Sequence, residues 1–166
     1  MKIVSTISIG VFAVVCLGSF TPALADPAVA GTTTVGTPPA GMSQVVFFRP
    51  SAMGMAVSCN VRENGKMIGT TNNGRYFVLT TTPGVHEYTT RGEKTDEIHV
   101  QTEADETTYV KCKIAMGIMA GRPNLSPSTK EEFETRVAHM KPSDPEKMAH
   151  AIAEDDAHHS AAGAAQ

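Results

Sequence analysis

The chain has 166 residues, enough for one domain with tails, and carries 14 basic against 17 acidic side chains for a net charge of −3. A mildly acidic chain has no field to gather phosphates, so nucleic acid is not an expected partner. Tryptophan is absent, cysteine occurs three times and methionine nine times.

The first 25 residues have the three parts of a secretory signal. Lys2 supplies the positive end, residues 7–17 (ISIGVFAVVCL) the apolar run, and Ala23 and Ala25 the small residues a signal peptidase requires. Cleavage is expected between Ala25 and Asp26. The apolar run is shorter than the roughly 18 residues of a membrane span, and no later stretch approaches that length. Cys16 raises the alternative of a lipid anchor, but Val15 stands where that processing wants a small residue, so a soluble periplasmic or secreted product is expected. Residues 26–41 (DPAVAGTTTVGTPPAG) lack apolar periodicity and read as a flexible linker.

From Ser43 to Ala115 the pattern turns to short β-type runs with turn signals between them. Residues 44–49 (QVVFFR) form an apolar run closed by Pro50, and in residues 56–62 Val57, Cys59 and Val61 share a face. Asn64-Gly65 is a two-residue hairpin signal, since both residues tolerate positive φ. Residues 66–71, 76–80, 85–90 and 97–102 follow, separated by Asn72-Asn73-Gly74, Pro83-Gly84 and Gly92. In residues 107–115 Val110, Cys112 and Ile114 face one way, and Tyr109, Lys111 and Lys113 the other. With no helix between strands, this predicts a mainly β fold: a seven-stranded antiparallel β-sandwich (immunoglobulin/transthyretin-like), spanning 42–125, with one or two C-terminal α-helices.

Residues 117–123 read as a loop. A helix packed on the domain is expected within 126–141, capped by Ser128 with Glu131, with Phe133, Val137 and Met140 on its apolar face and Pro142 ending it. A second helix starts at Asp144-Pro145. Its sizeable apolar residues are Met148 and Ile152, so 142–166 reads as a weakly structured helix running into a disordered tail from His158.

Three segments, VVFFRPS (45–51), NGRYFVL with PG-x-H (73–79, 83–86) and TYVKCKI followed by MGIMAGRP-x-L (108–125), resemble the domain-of-unknown-function 2846 family of small exported or lipid-anchored bacterial domains. The resemblance covers about residues 42–140 and implies a β-sandwich. It implies no activity and supplies no catalytic residues. The histidine-containing C-terminal extension and the missing lipobox depart from the family's pattern.

Cys59 and Cys112 each sit on the apolar face of a strand, and an exported protein meets an oxidising compartment. A disulfide between them would close a long loop and stabilise the domain by about 4 kcal/mol in the chain-entropy model. Neither cysteine lies in a CxxC or at a helix N-terminus, so neither reads as a catalytic thiol. His150, Glu154 and His158 recur every four residues, with His159 adjacent, so an i, i+4 pair could hold Zn²⁺, Cu²⁺ or Ni²⁺. All three cannot hold one ion, because eight residues span about 12 Å along a helix. Met42, Met53, Met55, Met116 and Met119 fall near two loops and could suit Cu(I), though methionine more often fills gaps. Arg49 and Arg122 each precede a proline and read as ion pairs that pin loops, or as forks for an anion.

No G-x-S-x-G, H-E-x-x-H or P-loop occurs. The sequence therefore predicts a monomeric, non-enzymatic exported module without a cofactor that binds an envelope protein or glycan. Periplasmic metal binding is the alternative.

Overall fold

The computed structural model describes residues 35–52, 56–118 and 121–163, with side chains described up to residue 159. The expected signal segment with its expected cleavage pair Ala25 and Asp26, residues 26–34 of the expected linker, and Met53, Met55 and Met119 lie outside the described residues. The chain forms β1 (Ser43–Arg49), β2 (Cys59–Glu63), β3 (Lys66–Thr71), β4 (Arg75–Thr81), β5 (Gly84–Arg91), β6 (Thr95–Thr102), β7 (Thr107–Ala115), β8 (Arg122–Ser128), α1 (Lys130–Val137), β9 (Lys141–Pro142) and α2 (Pro145–Gly163).

The fold is mainly β, with two sheets and two helices. One sheet has the order β8-β7-β1-β4-β9, the other β3-β2-β5-β6. Their facing sides share one core, in which Val45, Phe47, Phe77, Val110 and Leu125 meet Val61, Tyr88 and Val100. Phe47 is its hub, stacked on Phe77 at 4.9 Å and edge-on to Tyr88 at 5.0 Å. Burial, with Glu63 nearby, pushes the Tyr88 phenol well above its ordinary value. A second cluster covers the outer face of the first sheet, where Phe133 and Val137 of α1, with Met140, pack on Val46, Phe48, Tyr76 and Tyr109. β1 is thus covered on both faces. All seven of its residues are buried, and its centre, residues 45–48 (VVFF), is apolar without alternation.

Asn64 and Gly65 turn β2 into β3 with φ of 51° and 80°, the hairpin geometry their sequence predicts. Other expectations are corrected. The pairing is not wholly antiparallel, because β1 runs parallel to β7 and β4 parallel to β9. β1 and β7 are separated by the whole four-stranded sheet, so no hairpin dictates their relative direction.

Nine strands form among the described residues, not seven. β8 takes Arg122 to Ser128 out of the expected loop and helix. Its Pro123 and Pro127 are tolerated because it is an edge strand. The helix expected within 126–141 is consequently the eight-residue α1, and its cap moves by one residue. Ser128 is still paired with Tyr109 in the sheet, so Thr129 caps instead, accepting from Glu132 N at 3.2 Å.

The last residues of the expected linker are held against the body. Val35 packs on the second cluster, Gln44 Nε2 donates to Gly36 O at 2.9 Å, and Gly41 N donates to Asp105 Oδ1 at 2.8 Å.

The C-terminal segment is also more ordered than its composition suggests. α2 begins at Pro145 under the Asp144 cap and continues for 19 residues, through the expected tail to Gly163. Its half-buried stripe is Met148, Ala151, Ile152 and Asp155. The two apolar residues are supplemented by polar anchors: Asp155 pairs with Arg62 of β2, and His159 Nε2 lies 3.1 Å from Arg91 Nη1. Frequent alanine adds helix propensity. Among the described residues, no helix is long and apolar enough to cross a membrane.

Candidate functional site

Because β1 and β7 run parallel, their C-terminal ends reach the same rim of the first sheet. Arg49 closes β1 there and continues the inward alternation of Val45 and Phe47. It is 2% exposed, and its guanidinium donates to the carbonyl of Val57, holding the chain that returns to β2. Burial lowers its pKa from the ordinary value, yet a guanidinium keeps its charge. Thus Arg49 pins a loop, and the Val57 carbonyl is one of the groups it holds.

On β7, period two sends Cys112 inward and Lys111 and Lys113 to the outer face, beneath α1. Glu132 and Arg136 stand one turn apart on α1. Arg49, Lys111, Lys113, Arg136, Glu132 and Cys112 are among the residues around a cavity of about 420 Å³.

Four of these side chains are cations and one is a carboxylate. Lys111 takes the carboxylate, forming an ion pair with Glu132, which also accepts from Ser128 Oγ at 2.7 Å. The Lys111 and Ser128 hydrogen bonds, reinforced by the Lys111 and Lys113 charges, hold the Glu132 carboxyl below its ordinary value. Lys113 and Arg136 are exposed, and neither meets a carboxylate among the described residues. The site therefore carries an excess of positive charge next to a cavity, in a chain that is acidic as a whole. A larger groove, of about 660 Å³, runs between residues 35–37 and α1, but its charged rim of Lys130, Glu131 and Glu134 has no such excess.

Two residues beyond Ile114 on the cavity wall, the β7–β8 connection exposes Met116 and Ile118, 86% and 90% accessible. Ile118 N donates to Glu93 Oε2 at 3.1 Å, and the same carboxylate pairs with Arg122 at 2.8 Å. Arg122 is accordingly an ion pair that fastens a loop.

Cys59 of β2 and Cys112 of β7 are placed at disulfide-bonding distance, with Cα atoms 6.6 Å apart, and would staple one sheet to the other. Both are buried.

The C-terminal histidines lie on α2. His150 Nδ1 is 3.4 Å from Glu154, both side chains are exposed, and so is His158. His159 has Nδ1 2.8 Å from the Asp155 carbonyl and Nε2 against Arg91. Of the methionines described, Met42 is half-buried and Met116 exposed.

The β5–β6 hairpin supplies a set that sequence reasoning missed. Glu87 stands opposite His99, with Glu97 two residues along, and one donor atom from each lies within 4.8 Å of the others. The alternation of both strands around Gly92 would have shown this face. Lys111 and Lys113 were legible as a face of β7, but Arg136 joins them only through the docking of α1.

The family model described as "Protein of unknown function (DUF2846)" matches residues 39–123. Arg49, both lysines, both cysteines and the exposed loop fall inside the match, whereas Glu132, Arg136 and α2 lie beyond it. A Haemophilus influenzae protein described as uncharacterized is 23% identical over 105 residues. That alignment covers 63% of this chain, and this chain spans 62% of that protein's length. No solved structure matches.

Proposed function

The chain belongs to the family described as protein of unknown function (DUF2846), and on that premise we propose that it is an exported, non-enzymatic binding module with a sandwich of two sheets as its scaffold, holding an envelope component by its anionic groups. The observation that carries this reading is the excess of cations at the 420 Å³ cavity, where Lys111, Lys113, Arg136 and buried Arg49 face one carboxylate. Arg49 and the Lys111 pair with Glu132 fix the walls, and Lys113 and Arg136 are left to meet the ligand. The cysteine pair at bonding distance supports a location outside the cytoplasm.

Inorganic phosphate is the simplest probe. Titrated into labelled protein, it is expected to shift the amide resonances of β7 and α1 around Lys113 and Arg136, and the shifts should vanish in Lys113→Gln/Arg136→Gln. Shifts scattered over the surface, or unchanged by the double substitution, refute the reading.

Metal binding is the second reading, favoured by the hairpin set. Glu87 stands 3.7 Å from His99 Nε2 and Glu97 3.6 Å from its Nδ1, so the carboxylates flank the two ring nitrogens. With one donor atom from each residue within 4.8 Å of the others, a neutral imidazole with two carboxylates suits Zn²⁺ with water completing the shell. Calorimetry with Zn²⁺ should show one site that His99→Ala abolishes, while deletion of residues 150–166 leaves it intact.

A further inference from the structure

We infer that the envelope component is the bilayer itself: the cavity end of the molecule docks on an anionic lipid surface, with Met116 and Ile118 entering the interface and Lys113 and Arg136 on the headgroups. This rests on the anion-binding reading above and names its ligand.

The two features adjoin. Ile114 lines the cavity and Met116 is two residues on, less than about 7 Å along the chain. The described residues Ile118 and Arg122 are both tied to Glu93, which takes the amide of the first and the guanidinium of the second. Ile118, so tied, stands 90% in water and Met116 86%, so both are presented at little further ordering cost.

Charge selects the partner. Lys113 and Arg136 line the cavity that adjoins the tip, and neither forms an ion pair among the described residues, while Glu132 and Glu93 are taken up by Lys111 and Arg122. An anionic surface potential acts on such cations within a Debye length of about 8–10 Å. The chain as a whole opposes adsorption, since its net charge is −3. Attraction is therefore local and orients this end toward the membrane. A protein partner is the poorer fit: a stable interface needs about 800 Å² from each side, and a two-residue tip offers a small fraction of that. A fluid interface accepts such a tip without shape matching.

The experiment uses protein recovered from the periplasm of producing cells. The chain has no tryptophan, so Ile118→Trp supplies a clean reporter. Its emission should shift to the blue on adding phosphatidylglycerol vesicles, be quenched by lipids brominated on the acyl chain, and stay unchanged with phosphatidylcholine alone. Co-flotation of the unsubstituted protein with the anionic vesicles should weaken about tenfold in Met116→Ser/Ile118→Ser, weaken similarly in Lys113→Gln/Arg136→Gln, and fall as salt is raised. Thermal melts of both variants should match the parent, because all four side chains are exposed. Flotation unaffected by the Met116 and Ile118 substitutions, with no shift in the reporter, overturns lipid docking. If inorganic phosphate still perturbs Lys113 and Arg136 in that case, the cationic site stands and its ligand is a soluble anion. If it does not, both readings fall.

Discussion

A Cβ at Gly69 would stand 2.6 Å from Phe77 Cζ and 2.7 Å from its Cε2, because β3 passes against the ring that stacks on Phe47. The ring has little room to withdraw, since Phe77 is buried and stacked on Phe47. Gly69→Ala is therefore expected to destabilise the protein by about 1–3 kcal/mol, the cost of overpacking. Adding Phe77→Leu should recover part of that loss, and urea denaturation of the two single variants and the double measures the coupling.

Glu132 makes a different residue-scale demand. Its carboxyl is held below the ordinary 4.5, first by Lys111 and Ser128. A depressed carboxyl stabilises the fold fully above that ordinary value and loses its contribution as pH falls through the folded one. The acid limb of a stability curve should therefore be shallower in Glu132→Gln than in the parent. Parallel limbs would show that the Lys111 contact contributes nothing to folding.

At the scale of elements, α2 tests how far polar anchors can replace apolar ones. Arg62 is 5% exposed, and its Nε has no hydrogen-bond partner among the described residues, so Asp155 answers most of its charge. Asp155→Ala is expected to cost about 2 kcal/mol, below the range for fully buried pairs because Asp155 touches solvent. Amide exchange along α2 should accelerate with it. Arg62→Met/Asp155→Leu, which leaves no charge stranded, should cost less than the single change, and equal costs would deny the pair its anchoring role.

The same element shows what the sequence could display. The strand faces were legible from period two, and the Asn64-Gly65 turn from its backbone demands. The Asp144-Pro145 helix start was legible from capping chemistry. What composition could not display was pairing at a distance. β8 carries two prolines that look like a loop until an edge is available. The parallel course of β1 and β7 depends on a crossover between sheets. Arg62 and Asp155 are 93 positions apart, and no local pattern couples them. The candidate site divides the same way, with Lys111 and Lys113 visible as one face of a strand and Arg136 joining them only when α1 docks.

For the molecule as a whole, the decisive covalent question is whether Cys59 and Cys112 are bonded in the protein as it exists in the cell. The bridge would join β2 to β7 across the shared core over a separation of 53 residues. Loop closure of that length stabilises the folded state by about 4 kcal/mol in the chain-entropy model, comparable with the net stability of a small domain. Cys59→Ala/Cys112→Ala should accordingly lower the urea midpoint sharply, with each thiol's lost contacts adding to the loss. The bond also bears on the proposed export. Of three cysteines in the chain, Cys16 lies in the segment that reads as an export signal, so cleavage after Ala25 would leave only the two that face each other. Intact mass of periplasmic protein is expected to begin at Asp26 and to take up no alkylating reagent when unfolded without reductant. After reduction it should take up two equivalents. A mass retaining Cys16 would place the protein elsewhere, and two reactive thiols before reduction would break the link between compartment and core.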